Sequence, residues 1–564
     1  MSLNLEKQIE ELGQLVYVGK FKEALKIVAK LEKKSELIDD QLLNLLLLKA
    51  QTLNGLGKYK EAIVCVDILL EKSKELDNHL MELNAILNKS MVLLRLGQLK
   101  EGLSLIKEGE QIIDKSPQLS TINYDNQFCM LKILKGVHFI YLGKIDESIN
   151  LLYDSIPIAE KLQNKILIGY CYMGLTIVHY EKKEPNLGIE YGKKALAFFE
   201  EISNQQEIAL TLNALSMNYS SIGDLKEAEK CLKRALEISE KSGLKRDINY
   251  YLHNLGSNYR ERGDLDLALE YFEKSYELQQ KTKGLLHEHR TITNIGNIYH
   301  KKGDFEKAFE YYQKAQRIRE SLDNKPDIAN GLFYLITLAI DMGNIAEAKK
   351  LLEQLKQISN ELDVGYINEK YRLSQALLLK TSTRVRDRGK AEELLIELVE
   401  EEISNLRITK IALINLCELL LNELRISGNP DILSEINLYI NRLLKIAELE
   451  NSYALFAEIY WLQAQMALIN LDTKKAKKLL TEAQKITEEK GLTLLGQEIA
   501  NEQKKLKEQF GLWEELSKQK APVSKIIQHI NPEKTIKRMH RETTSETSKE
   551  DTVLTRTKLF TIKI

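Results

Sequence analysis

Few residues in this chain have both the type and the spacing that chemistry requires. The only close histidine pair is His287 and His289, which are separated by one residue and followed by Arg290. Two imidazoles at this spacing bind a metal ion only together with further ligands, and no cysteine cluster accompanies them. The pair therefore favours a solvated turn at the start of a helix over a metal site, and we expect no metal and no cofactor.

The densest run of basic residues offers a second candidate site, for an anion or an acidic partner. It comprises Arg384, Arg386, Arg388 and Lys390. We interpret this run as an exposed loop. The five cysteines lie 40 or more residues apart, which excludes zinc and redox motifs and indicates small apolar side chains in a reducing compartment.

The composition argues against several classes of protein. The chain has 81 Lys and Arg against 82 Asp and Glu, a balance that argues against a general nucleic-acid binder. Its apolar stretches are too short to span a bilayer, and no secretory signal begins it. No Walker loop, GxSxG or HExxH motif occurs, so we expect a cytoplasmic protein that is not an enzyme.

The elements that position these residues follow a pattern that recurs eight times. A glycine is followed two places later by a large apolar residue and five places later by a small one. The glycines are Gly19, Gly57, Gly97, Gly143, Gly223, Gly263, Gly303 and Gly343. The last four are spaced by 40 residues, and the gap of 80 before them has room for one degenerate unit. Such a period predicts a solenoid of stacked helical units.

One repeat illustrates the physical logic of the unit. Leucine, glycine and tyrosine side chains around Gly256 recur at helical spacing, which predicts a first helix. Gly263 ends this helix, because glycine readily adopts the left-handed conformation, and Asp264 is placed to cap the second helix. Ala268 and Phe272 share one face of the second helix, where the small alanine permits close approach of the first.

These slots resemble the tetratricopeptide repeat (TPR) family. They read Leu255-Gly256, Tyr259, Ala268, Phe272 and Ser275 in this repeat, and Ile295-Gly296, Tyr299, Ala308, Tyr312 and Ala315 in the next. The 40-residue period is similar to that of kinesin light chain and Pins arrays. The resemblance implies an all-α, right-handed superhelical solenoid of about twelve stacked antiparallel helix pairs.

The pattern also divides the chain. We expect a well-formed TPR array over 5–345, degenerate TPR-like pairs over 346–490, a capping helix over 491–520 and a disordered, basic, Thr-rich tail over 521–564. In the degenerate unit after Gly143, the sequence does not decide which face of the first helix points inward. Either Tyr172, Leu175, Thr176 and His179 or Met173, Thr176, Ile177 and Tyr180 form it.

The resemblance also indicates where a ligand binds, because the first helix of each TPR pair lines the concave groove. The polar and aromatic candidates in that groove are Asn213, His253, Asn254, Arg290, Thr293, Asn294, Asn297, Asn330 and Tyr334. An asparagine amide offers two donors and an acceptor, so stacked asparagines suit the backbone of an extended peptide. The alternative interpretation is that these side chains are merely solvated.

We therefore predict an adaptor or scaffold that binds a peptide or helix of a partner protein in its groove, without contacts to nucleic acid or membrane. An alternative function is a peptide-responsive or transcription-associated regulator of the solenoid type. The tail can dock intramolecularly in the groove and compete with partners, and phosphorylation of Thr543, Thr544 or Ser545 would release it.

Overall fold

The computed structural model describes residues 2–33, 37–115, 122–242, 245–282, 288–362, 364–401 and 405–545, and the regular structure of these residues is entirely helical. The chain forms two compact units. The first ends at Leu255, and the second begins at Gly256 and continues to the end of the described residues. The boundary between them lies within a helix, as expected of a solenoid, whose repeats continue without a linker.

The helices alternate between the first and second members of antiparallel pairs. Those that begin in the first unit are α1 (Ser2–Tyr17), α2 (Phe21–Leu31), α3 (Asp39–Gly55), α4 (Tyr59–Glu75), α5 (His79–Leu96), α6 (Leu99–Lys115), α7 (Ile122–Tyr141), α8 (Ile145–Lys161), α9 (Lys165–Glu181), α10 (Pro185–Glu201), α11 (Gln205–Ser221), α12 (Leu225–Ser242) and α13 (Lys245–Arg262).

The remaining helices belong to the second unit. They are α14 (Leu265–Thr282), α15 (Glu288–Lys302), α16 (Phe305–Ser321), α17 (Lys325–Asp341), α18 (Ile345–Leu362), α19 (Gly365–Lys380), α20 (Val385–Glu400), α21 (Leu406–Ser427), α22 (Asp431–Glu450), α23 (Tyr453–Ile469), α24 (Thr473–Lys490), α25 (Thr493–Glu508), α26 (Phe510–Lys518), α27 (Val523–Ile526) and α28 (Pro532–Thr544). A short 3-10 turn, Ile527–His529, joins α27 to α28.

Helices α1–α24 form twelve successive pairs, which confirms the all-α solenoid and the number of pairs predicted from the sequence. Within each unit, the second helix of a pair packs on the first helix of the next, as in α10 with α11 and in α16 with α17. Consecutive first helices also touch, as α7 does α9 and α17 does α19. We call the consecutive first helices of one unit its first-helix row.

The predicted helix ends are present in the structure. All eight signature glycines have positive φ angles, between 69° and 85°. In three repeats the residue after the glycine caps the second helix: the Oδ1 atoms of Asp224, Asp304 and Asn344 each accept a hydrogen bond of 3.2 Å from the backbone amide three residues later. The glycine therefore marks the start of the second helix in every signature repeat, and a side-chain cap adds to it in these three.

In two repeats the glycine of the first helix allows an aromatic ring of the second helix to approach closely. A Cβ atom added to Gly256 would lie 2.8 Å from Cδ1 of Phe272, and one added to Gly296 would lie 2.6 Å from Cδ1 of Tyr312. Both rings are fully buried. Glycine is therefore required in this slot by packing rather than by backbone conformation.

The degenerate unit lacks the signature glycine. Lys183 lies 40 residues after Gly143 and takes its place, with a φ angle of 62°. The register of α9, which the sequence leaves open, is resolved in favour of the first alternative. Leu175, Thr176 and His179 are buried, whereas Met173, Ile177 and Tyr180 are only half-buried.

The C-terminal part of the chain differs from the sequence-based expectation. Two helices, α25 and α26, replace the single capping helix, because the backbone leaves helical geometry at Gln509 (φ −94°, ψ 11°). Residues 521–545, expected to be disordered, instead contain α27, the 3-10 turn and α28, because Ile526, Ile527, Ile536 and Met539 find buried positions. The rest of the predicted tail, 546–564, lies outside the described residues.

Candidate functional site

Three of the predicted site residues lie on the first-helix row of the first unit. Asn213 is on α11, and His253 and Asn254 are on α13. The Nδ2 atom of Asn254 donates a hydrogen bond of 2.7 Å to Oδ1 of Asn213. All three side chains are half-buried, so they can contact both their neighbours and a ligand.

The Asn213–Asn254 bond is one of a series that links consecutive first helices of this unit. The other members are Gln127 to Asn84 at 2.9 Å, Asn164 to Asn126 at 2.9 Å, and the hydroxyl of Tyr170 to Glu207 at 3.0 Å. We call this series the polar ladder. Each of its hydrogen bonds joins residues 37 to 43 positions apart, which matches the repeat length.

A charged cluster lies beside the polar ladder. Burial raises the pKa of Glu207 above its ordinary value, although Arg95 and the hydroxyl of Tyr170 oppose the shift. Burial opposes the charge on Arg95, but Tyr59, Asp247 and Glu207 together raise its pKa. Among the residues that the structure describes, the buried Oε2 atom of Glu207 has no hydrogen-bond partner. The first-helix row of this unit thus contains a buried acidic group beside an arginine.

The candidates on α15 behave differently, because most of them are buried. Thr293, Asn294 and Asn297 are at most 2% exposed. Asn297 accepts a hydrogen bond of 2.7 Å from the hydroxyl of Tyr312 and donates one of 3.4 Å to Asn294. Asn294 and Thr293 also accept from the guanidinium groups of two arginines, at 3.1 and 2.6 Å. These side chains therefore hold α15 against its neighbours.

The remaining candidates in the second unit have similar roles. Asn330 and Tyr334 are buried on α17, where Asn330 accepts from the ammonium group of Lys370. Tyr334 accepts a hydrogen bond of 3.3 Å from Arg407, and Arg290 is half-buried on α15. The sequence-based expectation of an open groove thus does not describe five of the six candidates in this unit. Their polar groups are used within the protein.

Helix α28 covers part of the first-helix row of the second unit. This helix packs against α15, α21 and α23, all of which are first helices. The side chain of Arg538 donates a hydrogen bond of 3.0 Å to Glu458 and also pairs with Glu498. Glu542, one turn further along α28, pairs with Lys301.

The end of α28 is held by an arginine that sequence reasoning missed. Arg407, on α21, donates hydrogen bonds of 3.2 and 2.7 Å to the carbonyl oxygens of Thr543 and Thr544. Its guanidinium lies 5.5 and 5.1 Å from the ring centroids of Phe333 and Tyr334. The signal that could have found this contact is the amphipathic spacing in 532–544, where large apolar residues are three positions apart.

The same part of α28 carries the three predicted phosphorylation sites. Thr543, Thr544 and Ser545 are at most 3% exposed, and each hydroxyl donates to a carbonyl of the preceding turn. A kinase therefore reaches these residues only after α28 has left its position.

Two ionisable groups in this interface have displaced pKa values. Burial raises the pKa of Glu458 to about 7, although the charge of Arg538 opposes the shift. Burial lowers the pKa of His540 to about 4, and Lys380 adds to the effect. Asn415 donates a hydrogen bond of 3.1 Å to Nδ1 of His540. At neutral pH His540 is therefore neutral.

Two negative findings concern the described residues. They contain no group of three or more His, Cys, Asp or Glu side chains placed to hold a metal ion. Within the same residues, no helix combines the length and the apolar character needed to cross a membrane. His289 is buried, with its Nε2 atom 3.9 Å from a carboxylate oxygen of Asp327, while His287 lies outside the described residues.

Comparisons with known proteins agree with this architecture. The sequence profile of the MalT-like TPR region matches residues 176–494, which is more than half of the chain. No curated protein sequence matches it. Among solved structures, the apo form of RapI is 16% identical, covering 65% of this chain and 97% of its own, with a TM-score of 0.51. This match concerns the fold alone.

Two further structures are similar over different lengths of the chain. A Rap protein complexed with competence and sporulation factor is 18% identical over 66% of this chain and 99% of its own, with a TM-score of 0.47. The TPR-like repeats of a putative kinesin light chain from Podosopora anserina are 18% identical, covering 34% of this chain and 94% of their own, with a TM-score of 0.31.

Proposed function

Because the chain belongs to the MalT-like TPR family, we propose that it is a protein-interaction scaffold that binds a peptide or helix of a partner protein. The binding surface is formed by the first-helix rows, the side of the array that the TPR resemblance assigns to the concave groove. Stacked helix pairs present such a row as one extended surface, on which a partner segment contacts several repeats at once.

The observation that supports this function most directly is the polar ladder. In the first unit, half-buried amides on neighbouring first helices pair with each other, as Asn254 does with Asn213 at 2.7 Å. This bond uses one donor and one acceptor, whereas an amide offers two donors and an acceptor with two lone pairs. The remaining capacity suits the alternating N–H and C=O groups of an extended peptide backbone.

The test is partner capture by the full chain and by an Asn213→Ala/Asn254→Ala variant, with mass spectrometry of the bound proteins. The matched control replaces Lys226 and Glu240, two exposed residues on α12, by alanine. We expect the asparagine variant to bind the partner about 5 to 30 times more weakly, which corresponds to a loss of about 1 to 2 kcal/mol for hot-spot side chains. Equal capture by all three chains would refute the role of the ladder.

A second candidate function is a ligand-responsive regulator. The observation that favours it is the cover that α28 forms over the first-helix row of the second unit. A ligand that displaces α28 changes the conformation of the chain when it binds, which is the property a sensor needs. Sequence-specific DNA binding by the purified chain, measured by a mobility-shift titration, would favour the transcription-associated form of this alternative.

We also propose a cytoplasmic location. All five cysteines are unpaired, and four of them are buried. Unpaired thiols persist in a reducing compartment, where disulfides are rare. Fractionation of the source cells tests this location, and recovery of the protein outside the cytoplasmic fraction would contradict it.

A further inference from the structure

Helix α28 occupies the part of the second unit where the first helices would otherwise receive a ligand. It lies against α15, α21 and α23. The first of these is distant in the sequence, because Lys301 on α15 precedes its partner Glu542 on α28 by 241 residues. Its two large apolar side chains, Ile536 and Met539, are both fully buried, and Pro532 and three threonines are buried beside them. The helix nevertheless buries far fewer large apolar side chains than a paired helix such as α21 or α23.

Most of the specific contacts of α28 are charged. Arg538 pairs with Glu458 and Glu498, and Glu542 pairs with Lys301. Ion pairs at buried or half-buried positions lose hydration that offsets much of their attraction, so they favour one register more than they strengthen the contact. The interface is thus specific in geometry without being a permanent apolar core.

Arg407 recognises α28 through backbone atoms. Its guanidinium donates to the carbonyl oxygens of Thr543 and Thr544, which belong to the last turn of the helix. The rings of Phe333 and Tyr334 hold the guanidinium in place. Because these two hydrogen bonds go to backbone carbonyl oxygens, any helix that ends at this point can accept them.

The sequence of α28 remains compatible with water once the helix is released. Its thirteen residues, PEKTIKRMHRETT, include four lysines or arginines and two glutamates. Lys534 and Lys537 are already exposed in the docked position. Undocking therefore transfers few apolar groups into water, and the released segment is soluble.

We propose that α28 is a displaceable internal ligand and that the partner of the second unit is an amphipathic helix of the same chemistry. This inference rests on the proposed function. The partner helix carries apolar residues three positions apart, as Ile536 and Met539 are, with an arginine between them to meet Glu458. It ends at Arg407, which binds its last carbonyl groups. While α28 is docked, it competes with this partner.

The first test is hydrogen exchange of the full wild-type chain, which reports the opening of each helix separately. We expect the amides of α28 to exchange at least tenfold faster than those of α21 and α23, because α28 opens while the array stays folded. Exchange of all three helices at one common rate would overturn the proposal, since it would make α28 part of the same folding unit.

The second test is a titration with a fluorescently labelled peptide of residues 530–545. The full chain is compared with an Arg538→Ala/Met539→Ala variant, in which docking in cis is weakened, and with Lys534→Ala as the matched control. We expect the double variant to bind the peptide at least tenfold more tightly than wild type, and the control to equal wild type. A peptide with Arg538→Glu should bind at least tenfold more weakly to the double variant.

Equal binding of the peptide by the three chains would overturn the proposal. Loss of helical circular dichroism by the double variant would also overturn it, because the array would then require α28 to fold. These outcomes are distinguishable from a failure of the proposed function, which is measured by partner capture through Asn213 and Asn254 in the first unit. A partner captured there leaves the scaffold function in place whatever α28 does.

Discussion

The close contact between Gly296 and Tyr312 gives a quantitative test of the helix-pair packing. A Cβ atom at position 296 would lie 2.6 Å from both Cδ1 and Cε1 of the Tyr312 ring and 3.4 Å from the carbonyl oxygen of Ala308. Swinging the buried ring aside would break the hydrogen bond of 2.7 Å that its hydroxyl donates to Asn297. In Gly296→Ala, α15 and α16 must therefore separate by close to an ångström.

The expected cost of this separation follows from two opposing effects. Overpacking of a tight interface costs about 1–3 kcal/mol, while alanine is favoured over glycine in a helix by about 1 kcal/mol. With overpacking in the middle of its range, at about 2 kcal/mol, the net destabilisation of about 1 kcal/mol speeds hydrogen exchange of the α15 and α16 amides by a factor of about 5. The matched control is Gly389→Ala in α20, where an added Cβ meets nothing within 4 Å.

The control variant keeps only the helix-propensity gain, so it should slow exchange in α20 or leave it unchanged. The close packing therefore predicts faster hydrogen exchange for Gly296→Ala and no increase in exchange for Gly389→Ala. If Gly296→Ala were as harmless as Gly389→Ala, the close approach of Tyr312 to the first helix would be refuted.

Three further predictions concern the turn of the degenerate unit, the α28 interface and the thiols. Lys183→Gly should slow exchange in α9 and α10 through a stabilisation of about 1 kcal/mol, because Lys183 has a φ angle of 62°, whereas Lys182→Gly, at a φ of −71°, should not stabilise them. As pH falls from 7 to 5, α28 of the Glu458→Gln variant should be released, which is measured as faster hydrogen exchange of α28 after correction for intrinsic rates. The reason is that burial lowers the pKa of His540 to about 4, so in this pH interval His540 gains a proton only when α28 is released. Over the same interval His540→Gln should hold α28 more tightly, because burial raises the pKa of Glu458 to about 7 and the docked state gains the proton; equal pH dependence of both variants would refute these assignments. The five thiols should react with a disulfide reagent at pH 8 at least about 100-fold more slowly in the folded chain than in urea, because burial raises the pKa of each thiol, to about 11 for Cys231. A single thiol that reacts rapidly in the folded chain would contradict this prediction.

The sequence predicts the array well where its signals are local. A glycine that ends a helix and an aspartate that caps the next one act within a few residues, so Gly303 and Asp304 could be assigned by inspection. The same reasoning leaves out Lys183, because a lysine in the left-handed conformation carries no sequence signal of its own. Only the 40-residue period places it after Gly143.

The candidate site was less predictable, because its exposure depends on distant parts of the chain. Asn294 and Asn297 have the polar character of a groove, but their amides bond to groups on α13, α15 and α16 and are fully buried. Helix α28 covers a first helix 241 residues away through Lys301 and Glu542. Its composition is that of a soluble tail, and two apolar residues three positions apart were its only local signal of docking.

The most direct test of the scaffold function is site-specific photo-crosslinking of a bound partner. A photoreactive amino acid replaces His253, on the first-helix row of the first unit, or Glu240, on the exposed side of the second helix α12. The account predicts that the partner segment is crosslinked from position 253 and not from position 240. Crosslinking from position 240 alone would place the partner on the second helices and contradict the central claim.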